Sequence, residues 1–286
     1  MPIVFVVLSI LMYLGIAVIP SGHSLCICFT LYLHRHLTHG SVVFRKWLTT
    51  AMRINIWLHA GINRKQWVAV HRFHHRTSDS PDDPHSPQQG GLFCAPSHQL
   101  AVHHPRWPLR LICPQGFGLF WTNLREYSKA AHNAELIAKY GNILSDALER
   151  HMTGRNFWLG PFVVLPLLHT LCSGALFAYA GISPWWGLLA GPLATVLLLV
   201  WIIYSQAYVN SYGHAAKERD ARTHDFSVDI RGSWVKNLTL NLFVVGEQIH
   251  HGHHSNQRSW NFGQHDLGAR YIKILVKLGL ARVEKA

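Results

Sequence analysis

Three long apolar runs divide this chain into membrane-like and polar parts. They cover residues 3–33, 157–180 and 185–208. The last two are each long enough to cross a hydrocarbon core of about 30 Å, and the short link between them makes them a hairpin. The first run would reach roughly 46 Å as one helix, and Pro20-Ser21-Gly22 interrupts it. We expect one long or kinked span there, with two short spans as the alternative, and therefore three or four spans in total.

The polar parts of the chain predict further helices joined by loops. Residues 45–67 are apolar but carry several charges, which favours an amphipathic helix at the membrane surface. Residues 77–114 are rich in Pro, Asp, Ser and His and predict a loop. Residues 118–150 predict helix with a stop at Gly141. We therefore expect a single all-α membrane domain, residues 1–286, whose polar helices form a cap on the spans.

Charged residues lie only outside the apolar runs. All 26 Lys+Arg and 14 Asp+Glu fall within residues 34–155 and 214–286. The net charge is +12, and basic segments beside spans mark the cytoplasmic face, so we expect both portions to be cytoplasmic. The basic residues are dispersed and form no nucleic-acid motif, so no nucleic-acid partner is expected. An anionic lipid surface or an acidic protein partner would suit this charge.

The five cysteines do not predict a metal site. None of them forms a C-x-x-C motif, so the chain encodes neither a zinc ribbon nor a rubredoxin-like iron site. Reduced thiols in a protein that faces the cytoplasm fit this scattered arrangement best.

Histidines recur in three motifs with the spacing of metal ligands. Motif 2 (residues 71–75) and motif 3 (residues 250–254) share H-x-x-H-H, which places three imidazoles on one face of an α-helix. Motif 1 (residues 34–39) has a looser pair, H-x-x-x-x-H. Packing alone seldom produces such clusters, because each buried ring nitrogen needs a partner. The candidate ligands in the motifs are His34, His39, His71, His74, His75, His250, His253 and His254.

A ninth candidate ligand follows the third apolar run. That run continues as Y-V-N-S-Y-G-H, and a continuing helix would place Asn210 and His214 on one face. Nine imidazoles are too many for one zinc ion but suit two first-row ions. Two spans separate motif 3 from motif 2, so all the motifs fall on the same side of the membrane. We expect iron, because a buried di-metal site against a membrane suits O₂ chemistry on an apolar substrate.

Carboxylates near the motifs are candidates for orienting the ligands, because a ligating imidazole usually donates its other N–H to an oxygen. A helix through residues 247–250 would place Glu247 on the ligand face of motif 3. The candidate carboxylates are Asp79, Asp83, Glu247 and Asp266. The histidines expected behind the ligands or at the surface are His36, His85 and His251.

The three motifs also support a resemblance to a known family. H-R-H-L-T-H, H-R-F-H-H and G-E-Q-I-H-H-G-H-H resemble the three histidine boxes of integral-membrane fatty acid desaturases, most closely bacterial Δ9-type acyl-lipid or acyl-CoA enzymes. Further matching text includes W-V-A-V before motif 2, D-P-H-S-P-Q after it, N-x-x-x-H after the third span and D-L-G-A-R-Y-I-K-I-L-V-K-L-G-L-A near the end. The resemblance covers roughly residues 25–283.

The resemblance implies that the nine histidines bind two iron ions and that Asn210 holds a metal-bound water. It implies O₂-dependent insertion of a double bond into a long acyl chain, linked to CoA or to lipid, by an enzyme of the bacterial inner membrane that faces the cytoplasm. Electrons would come from an external ferredoxin-, rubredoxin- or cytochrome-type donor, because the chain has no flavin, haem or rubredoxin motif. The alternatives are a hydroxylase at the same di-iron centre and a non-catalytic membrane metal-binding protein.

Overall fold

The computed structural model describes residues 2–86, 114–216 and 218–284. Within these ranges the protein is mostly helical, as the sequence predicts. The α-helices are α1 (Ile3–Cys28), α2 (Lys46–Ala60), α3 (Arg64–Thr77), α4 (Pro114–Ala131), α5 (Ala134–Tyr140), α6 (Leu165–Tyr179), α7 (Gly187–Tyr212), α8 (Trp234–Val244), α9 (His250–Ser255) and α10 (Leu267–Lys277). The π-helical segments are Phe29–Thr38, Glu149–Thr153 and Gly160–Val164. The strands β1 (Val42–Phe44) and β2 (Ala281–Val283) pair antiparallel.

The first apolar run forms one uninterrupted helix. α1 continues directly into the π-helical segment Phe29–Thr38, and together they make a helix of 36 residues. Pro20 lies inside α1 without ending it. The favoured expectation of one long span therefore matches the structure, and the alternative of two short spans is wrong. The helix also continues past residue 33, so motif 1 is part of the span helix rather than of a separate segment.

Three helices in the described part of the chain are long and apolar enough to cross a membrane: Ile3–Thr38, Gly160–Tyr179 and Pro184–Tyr212. The last two pack closely as the predicted hairpin. A Cβ atom on Gly191 would lie 2.4 Å from the backbone nitrogen of Thr170, so the two helices approach each other at a position where only hydrogen fits.

The cap begins with two helices rather than the one expected over residues 45–67. α2 and α3 are separated at Gly61, whose φ of +57° is a left-handed conformation that favours glycine. α5 is followed by Gly141, at the stop that the sequence predicts. Most of the predicted loop over residues 77–114 lies outside the described residues.

Buried ion pairs attach the cap to the first span. The Arg35 side chain is fully buried, donates to Asp266 at 3.0 Å and to the carbonyl oxygen of Trp260 at 2.9 Å, and so joins motif 1 to the start of α10. Arg64 of α3 donates through Nε to Glu149 at 2.6 Å and also contacts the Tyr32 hydroxyl. These contacts hold the elements that carry the histidine motifs in fixed relative positions.

Candidate metal centre

Motif 1 owes its geometry to the π-helix. The backbone N–H of His39 donates to the carbonyl oxygen of His34 at 3.1 Å, a hydrogen bond between residues five apart. On an α-helix, side chains five apart would diverge by about 140°. The π-helical bonding pattern instead turns His34 and His39 towards the same region. The looser spacing of motif 1 is therefore a consequence of its helix type.

Motif 2 lies on α3, whose N-terminus is capped by the Asn63 side chain. Its three imidazoles do not serve one site, although they share a helix face. His71 and His75, four residues apart, lie in one group of histidines, and His74 lies in another.

Motif 3 divides in the same way on α9. His250 and His254 lie together with His214, and His253 lies with the ligand candidates of motif 1. The expectation that the third span continues as a helix through His214 is wrong, because α7 ends at Tyr212 and a turn follows. That turn carries His214, which is fully buried, to the His250 ring, with the two Nε2 atoms 2.8 Å apart.

The structure gathers all nine predicted histidines into two adjacent groups. In each group the candidate ligand atoms lie within 4.8 Å of one another. The ring centroids of His75 and His254, which belong to different groups, are 4.6 Å apart. The five-membered group contains His34, His39, His71, His75 and His253. The four-membered group contains His74, His214, His250 and His254.

Buried carboxylates orient four of these imidazoles through their Nδ1 atoms. A carboxylate on one ring nitrogen holds the proton there and leaves the lone pair on the other nitrogen, Nε2, for a metal ion. The four pairs and their distances are His34 with Glu247 at 2.9 Å, His74 with Asp83 at 2.8 Å, His214 with Asp79 at 2.8 Å and His254 with Asp225 at 2.6 Å.

Three of the four predicted carboxylates contact a candidate ligand, but one of them contacts a different motif from the one expected. Asp79 and Asp83 contact ligand candidates as expected. Glu247 precedes α9 rather than joining its ligand face, and it contacts motif 1 instead of motif 3. Asp266 pairs with Arg35 and caps α10, so it does not orient a histidine of either group. Asp225 was not anticipated, because it lies 29 residues from its partner and no motif marks it.

The buried ring nitrogens fit a pair of metal ions. Unpartnered nitrogens in a dry interior are costly unless something satisfies them. Within the described residues, several buried ring nitrogens of both groups have no hydrogen-bond partner. These atoms are Nε2 of His39, His74 and His254, and Nδ1 of His75, His250 and His253. Nine imidazoles in two compact groups are a donor set that first-row ions such as iron, copper, nickel or zinc accept.

Burial keeps most of the imidazoles neutral. It lowers the pKa of His39, His71 and His75 well below the usual range, and neighbouring histidines lower it further. Burial likewise lowers the pKa of His254, to about 3. Burial alone would raise the pKa of the Asp83 carboxyl, but the His74 imidazole outweighs it and holds that pKa at about 2. Most of these rings therefore offer lone pairs at neutral pH without first losing protons. His74 is the exception: burial lowers its pKa, but the Asp83 carboxylate outweighs burial and raises it.

Asn210 lies beside the groups rather than in them. Its Nδ2 atom donates to His85 Nδ1 at 3.1 Å, and both side chains are buried. His36, His85 and His251 belong to neither group. His36 contacts the carbonyl oxygen of Val42 at 2.8 Å, and His251 contacts the Ser227 hydroxyl at 3.1 Å.

Two neighbouring cavities lie near the histidines. A small one, about 30 Å³, includes His34, His71, His250 and Asn210 in its lining. A larger apolar one, about 270 Å³, lies between α2, α4 and α7. Trp67 and Gln206 line both cavities. The apolar cavity and the small cavity beside the histidine groups thus share part of their wall.

Comparison with known proteins agrees with this geometry. The chain is 27% identical over 264 residues to Delta-9 desaturase-like 4 protein of Arabidopsis thaliana, covering 88% of this chain and 70% of that protein. It is 26% identical to Delta-9 acyl-lipid desaturase 2 of the same plant, covering 88% and 68%. It is 26% identical to acyl-CoA C20 Delta5-desaturase of Anemone leveillei, covering 91% and 73%. The sequence model described as fatty acid desaturase matches residues 8–261, and the chain belongs to that family.

Proposed function

We propose that this membrane protein is an O₂-dependent fatty acyl desaturase with a di-iron centre held by the nine histidines. The observation that carries the proposal is the two adjacent histidine groups, with their unpartnered buried nitrogens, beside a small cavity that shares lining residues with a larger apolar one. Imidazole alone does not distinguish iron from copper, nickel or zinc. Iron is proposed because the removal of hydrogen from a saturated chain needs a metal that can change oxidation state.

The reaction balances with an external electron donor. A –CH₂–CH₂– unit loses two hydrogen atoms and becomes –CH=CH–, while O₂ takes up those hydrogens together with two electrons and two protons and gives two water molecules. The metal pair would supply O₂ activation, which the side chains of the protein cannot provide. The electrons are proposed to come from a ferredoxin-, rubredoxin- or cytochrome-type protein that docks on the basic face of the cap.

The residues of the chain position the substrate and keep water out. The apolar cavity would hold the acyl chain, and the chain would reach the histidine groups past Trp67 and Gln206, which line both cavities. Carboxylates such as Asp83 fix the ring orientation of the ligands. Asn210 lines the small cavity next to His34 and is the residue proposed to hold a metal-bound water.

Expression in a host with a known lipid composition tests the activity. We expect new unsaturated acyl chains in the wild type and close to two irons per purified chain. His74→Ala should lose both product and iron. His251→Ala is the matched control, because His251 belongs to motif 3 but to neither group, and it should keep both. A hydroxylated product would favour the hydroxylase, and bound zinc without product after iron-replete growth would favour a metal-binding protein.

The role of Asn210 needs metal content and turnover measured together. Asn210→Ala should keep most of the iron and lose much of the desaturation, whereas His214→Ala should lose both. If Asn210 served only to satisfy the nearby end of α7, then Asn210→Ser would turn over like the wild type, and the proposed water-holding role would be refuted.

The proposed location is a bacterial inner membrane with the histidine groups facing the cytoplasm. The loop after α6 contains no Lys or Arg, whereas the cap is basic, as the positive-inside rule requires. Single cysteines at Ser183 and Ser255 of a variant without other reactive thiols should label from opposite sides of sealed vesicles. Labelling of both from the same side would contradict this topology.

A further inference from the structure

The apolar cavity lies at the depth of the hydrocarbon layer. Trp185 is 74% exposed and marks the far end of the third candidate span. At about 1.5 Å per helical residue, the cavity-lining residues Leu199 and Ile203 lie about 21 and 27 Å from it. A hydrocarbon core is about 30 Å thick, so both residues fall inside its cytoplasmic half. The cavity is thus beside lipid tails and not above the membrane surface.

The wall of this cavity that belongs to the spans is open to the lipid side. Phe162, which lines the cavity from the π-helical segment Gly160–Val164, is 64% exposed. Next to the cavity-lining residues lie Val163 and Val200, which are 47% and 38% exposed and apolar. An acyl chain in the bilayer can therefore reach the cavity between this segment and α7 without passing a polar surface.

The described lining of the cavity contains no charged side chain. Coenzyme A carries several phosphate groups, and proteins bind such groups with Arg and Lys. Three basic residues that neighbour the lining residues in sequence contact carboxylates of the chain itself. Arg125 and Lys129 of α4 both donate to Glu126, and Arg64 donates to Glu149. The polar lining atoms are neutral, which suits an ester or hydroxyl group better than phosphates.

From the depth of the cavity, its exposed wall and its uncharged lining, we propose that the substrate is an acyl chain of a membrane glycerolipid. The chain enters the cavity sideways from the cytoplasmic leaflet, between α7 and Gly160–Val164. This inference rests on the proposed function, since it names the acyl compound on which the desaturase acts. The head group stays at the membrane surface, and the middle of the chain passes Trp67 and Gln206 to reach the histidine groups.

Photo-crosslinking tests where the chain binds without requiring turnover. The purified protein is placed in vesicles of phosphatidylcholine and phosphatidylglycerol with one of two probes at equal concentration. One probe is phosphatidylcholine with a diazirine on its acyl chain, and the other is the same acyl chain linked to CoA. We expect the phospholipid probe to label the cavity wall on α4, at Asn123–Tyr127, more strongly than the CoA probe does.

Variants at the opening provide the control. Ile203→Trp fills the cavity wall, and we expect labelling of α4 to fall at least about fivefold, because inserting a large ring into occupied space is unfavourable. Leu188→Trp adds the same ring to the exposed surface of α7 about 22 Å from Ile203, away from the opening, and should leave α4 labelling unchanged. Leu199→Trp repeats the test if Ile203→Trp fails to fold.

The outcomes separate the two proposals. Equal or stronger labelling by the CoA probe, or labelling that Ile203→Trp and Leu199→Trp leave intact, overturns the lipid substrate while the desaturase function stands. The absence of α4 labelling by either acyl probe contradicts both.

Discussion

The buried carboxylate of Asp83 offers the sharpest test of how the protein holds the proposed metal centre. It is fully buried and accepts from His74 Nδ1 at 2.8 Å, from the backbone N–H of Asp79 at 2.8 Å and from that of His85 at 2.9 Å. Asn has almost the same shape but only one acceptor oxygen. Asp83→Asn therefore turns an amide N–H towards one of the two backbone N–H groups and removes the charge that fixes the imidazole.

Two magnitudes follow from these contacts. A buried donor left without an acceptor costs about 1–3 kcal/mol, and the free energy of unfolding of the metal-free protein should fall by about that amount. Loss of the partner of a ligating imidazole typically weakens metal binding about 10- to 100-fold, or roughly 1.4–2.8 kcal/mol. The pKa of Asp83, about 2, means that the removed group is ionised at neutral pH.

The assay is a chelator titration of the iron-loaded protein, with thermal unfolding of the metal-free form measured in parallel. Asp82→Asn removes the same charge from the neighbouring exposed position and is the matched control. We expect Asp83→Asn to release iron at a chelator concentration about 10- to 100-fold lower, while Asp82→Asn stays close to wild type. If the two variants release iron at the same concentration, Asp83 does not support a metal ligand and the reasoning fails.

Two further predictions concern the frame around the site. Gly191→Ala should lower the unfolding temperature, because the added Cβ would lie 2.4 Å from the neighbouring span and the two helices would have to move apart by about 1 Å. Gly15→Ala, which has open space around it, should be neutral or stabilising. Equal stability of these two variants would contradict the close helix contact. Glu149→Gln should cost about 3 kcal/mol or more in the free energy of unfolding because it leaves the buried Arg64 charge uncompensated. The same change at exposed Glu218 should have no measurable effect in a thermal unfolding assay, and a similar result at both positions would refute the argument.

The sequence predicted the members of the site because spacing and chemistry are local properties. Imidazoles three and four residues apart share a helix face wherever the helix lies, so motifs 2 and 3 were recognisable without a structure. Long apolar runs likewise predict spans from composition alone. Two spans separate motif 2 from motif 3, so all the motifs were expected on the same side of the membrane, as the gathering of the nine histidines requires.

Other features depend on distant parts of the chain and were not predictable in this way. The π-helix of motif 1 lies where the first span packs against the cap, at the buried Arg35 and Asp266 pair, and no local spacing rule predicts it. The contact of Asp225 with His254 joins a loop to α9 and leaves no periodic signal. Glu247 was expected on the ligand face of motif 3, because its spacing from His250 suggested one helix through both residues. That expectation is wrong, since α9 begins only at His250.

The division of the motifs between the two groups has a consequence for assembly. Motif 2 supplies His71 and His75 to one group and His74 to the other, and motif 3 is shared in the same way. Neither group can therefore form on a single helix, and each needs α3, α9 and a span end in place together. Because one helix carries histidines of both groups, a shift that disrupts one group also moves the other. The paired histidine groups are thus a property of the joined cap and spans, and the buried ion pairs of Arg35 and Arg64 help to hold the elements that carry them.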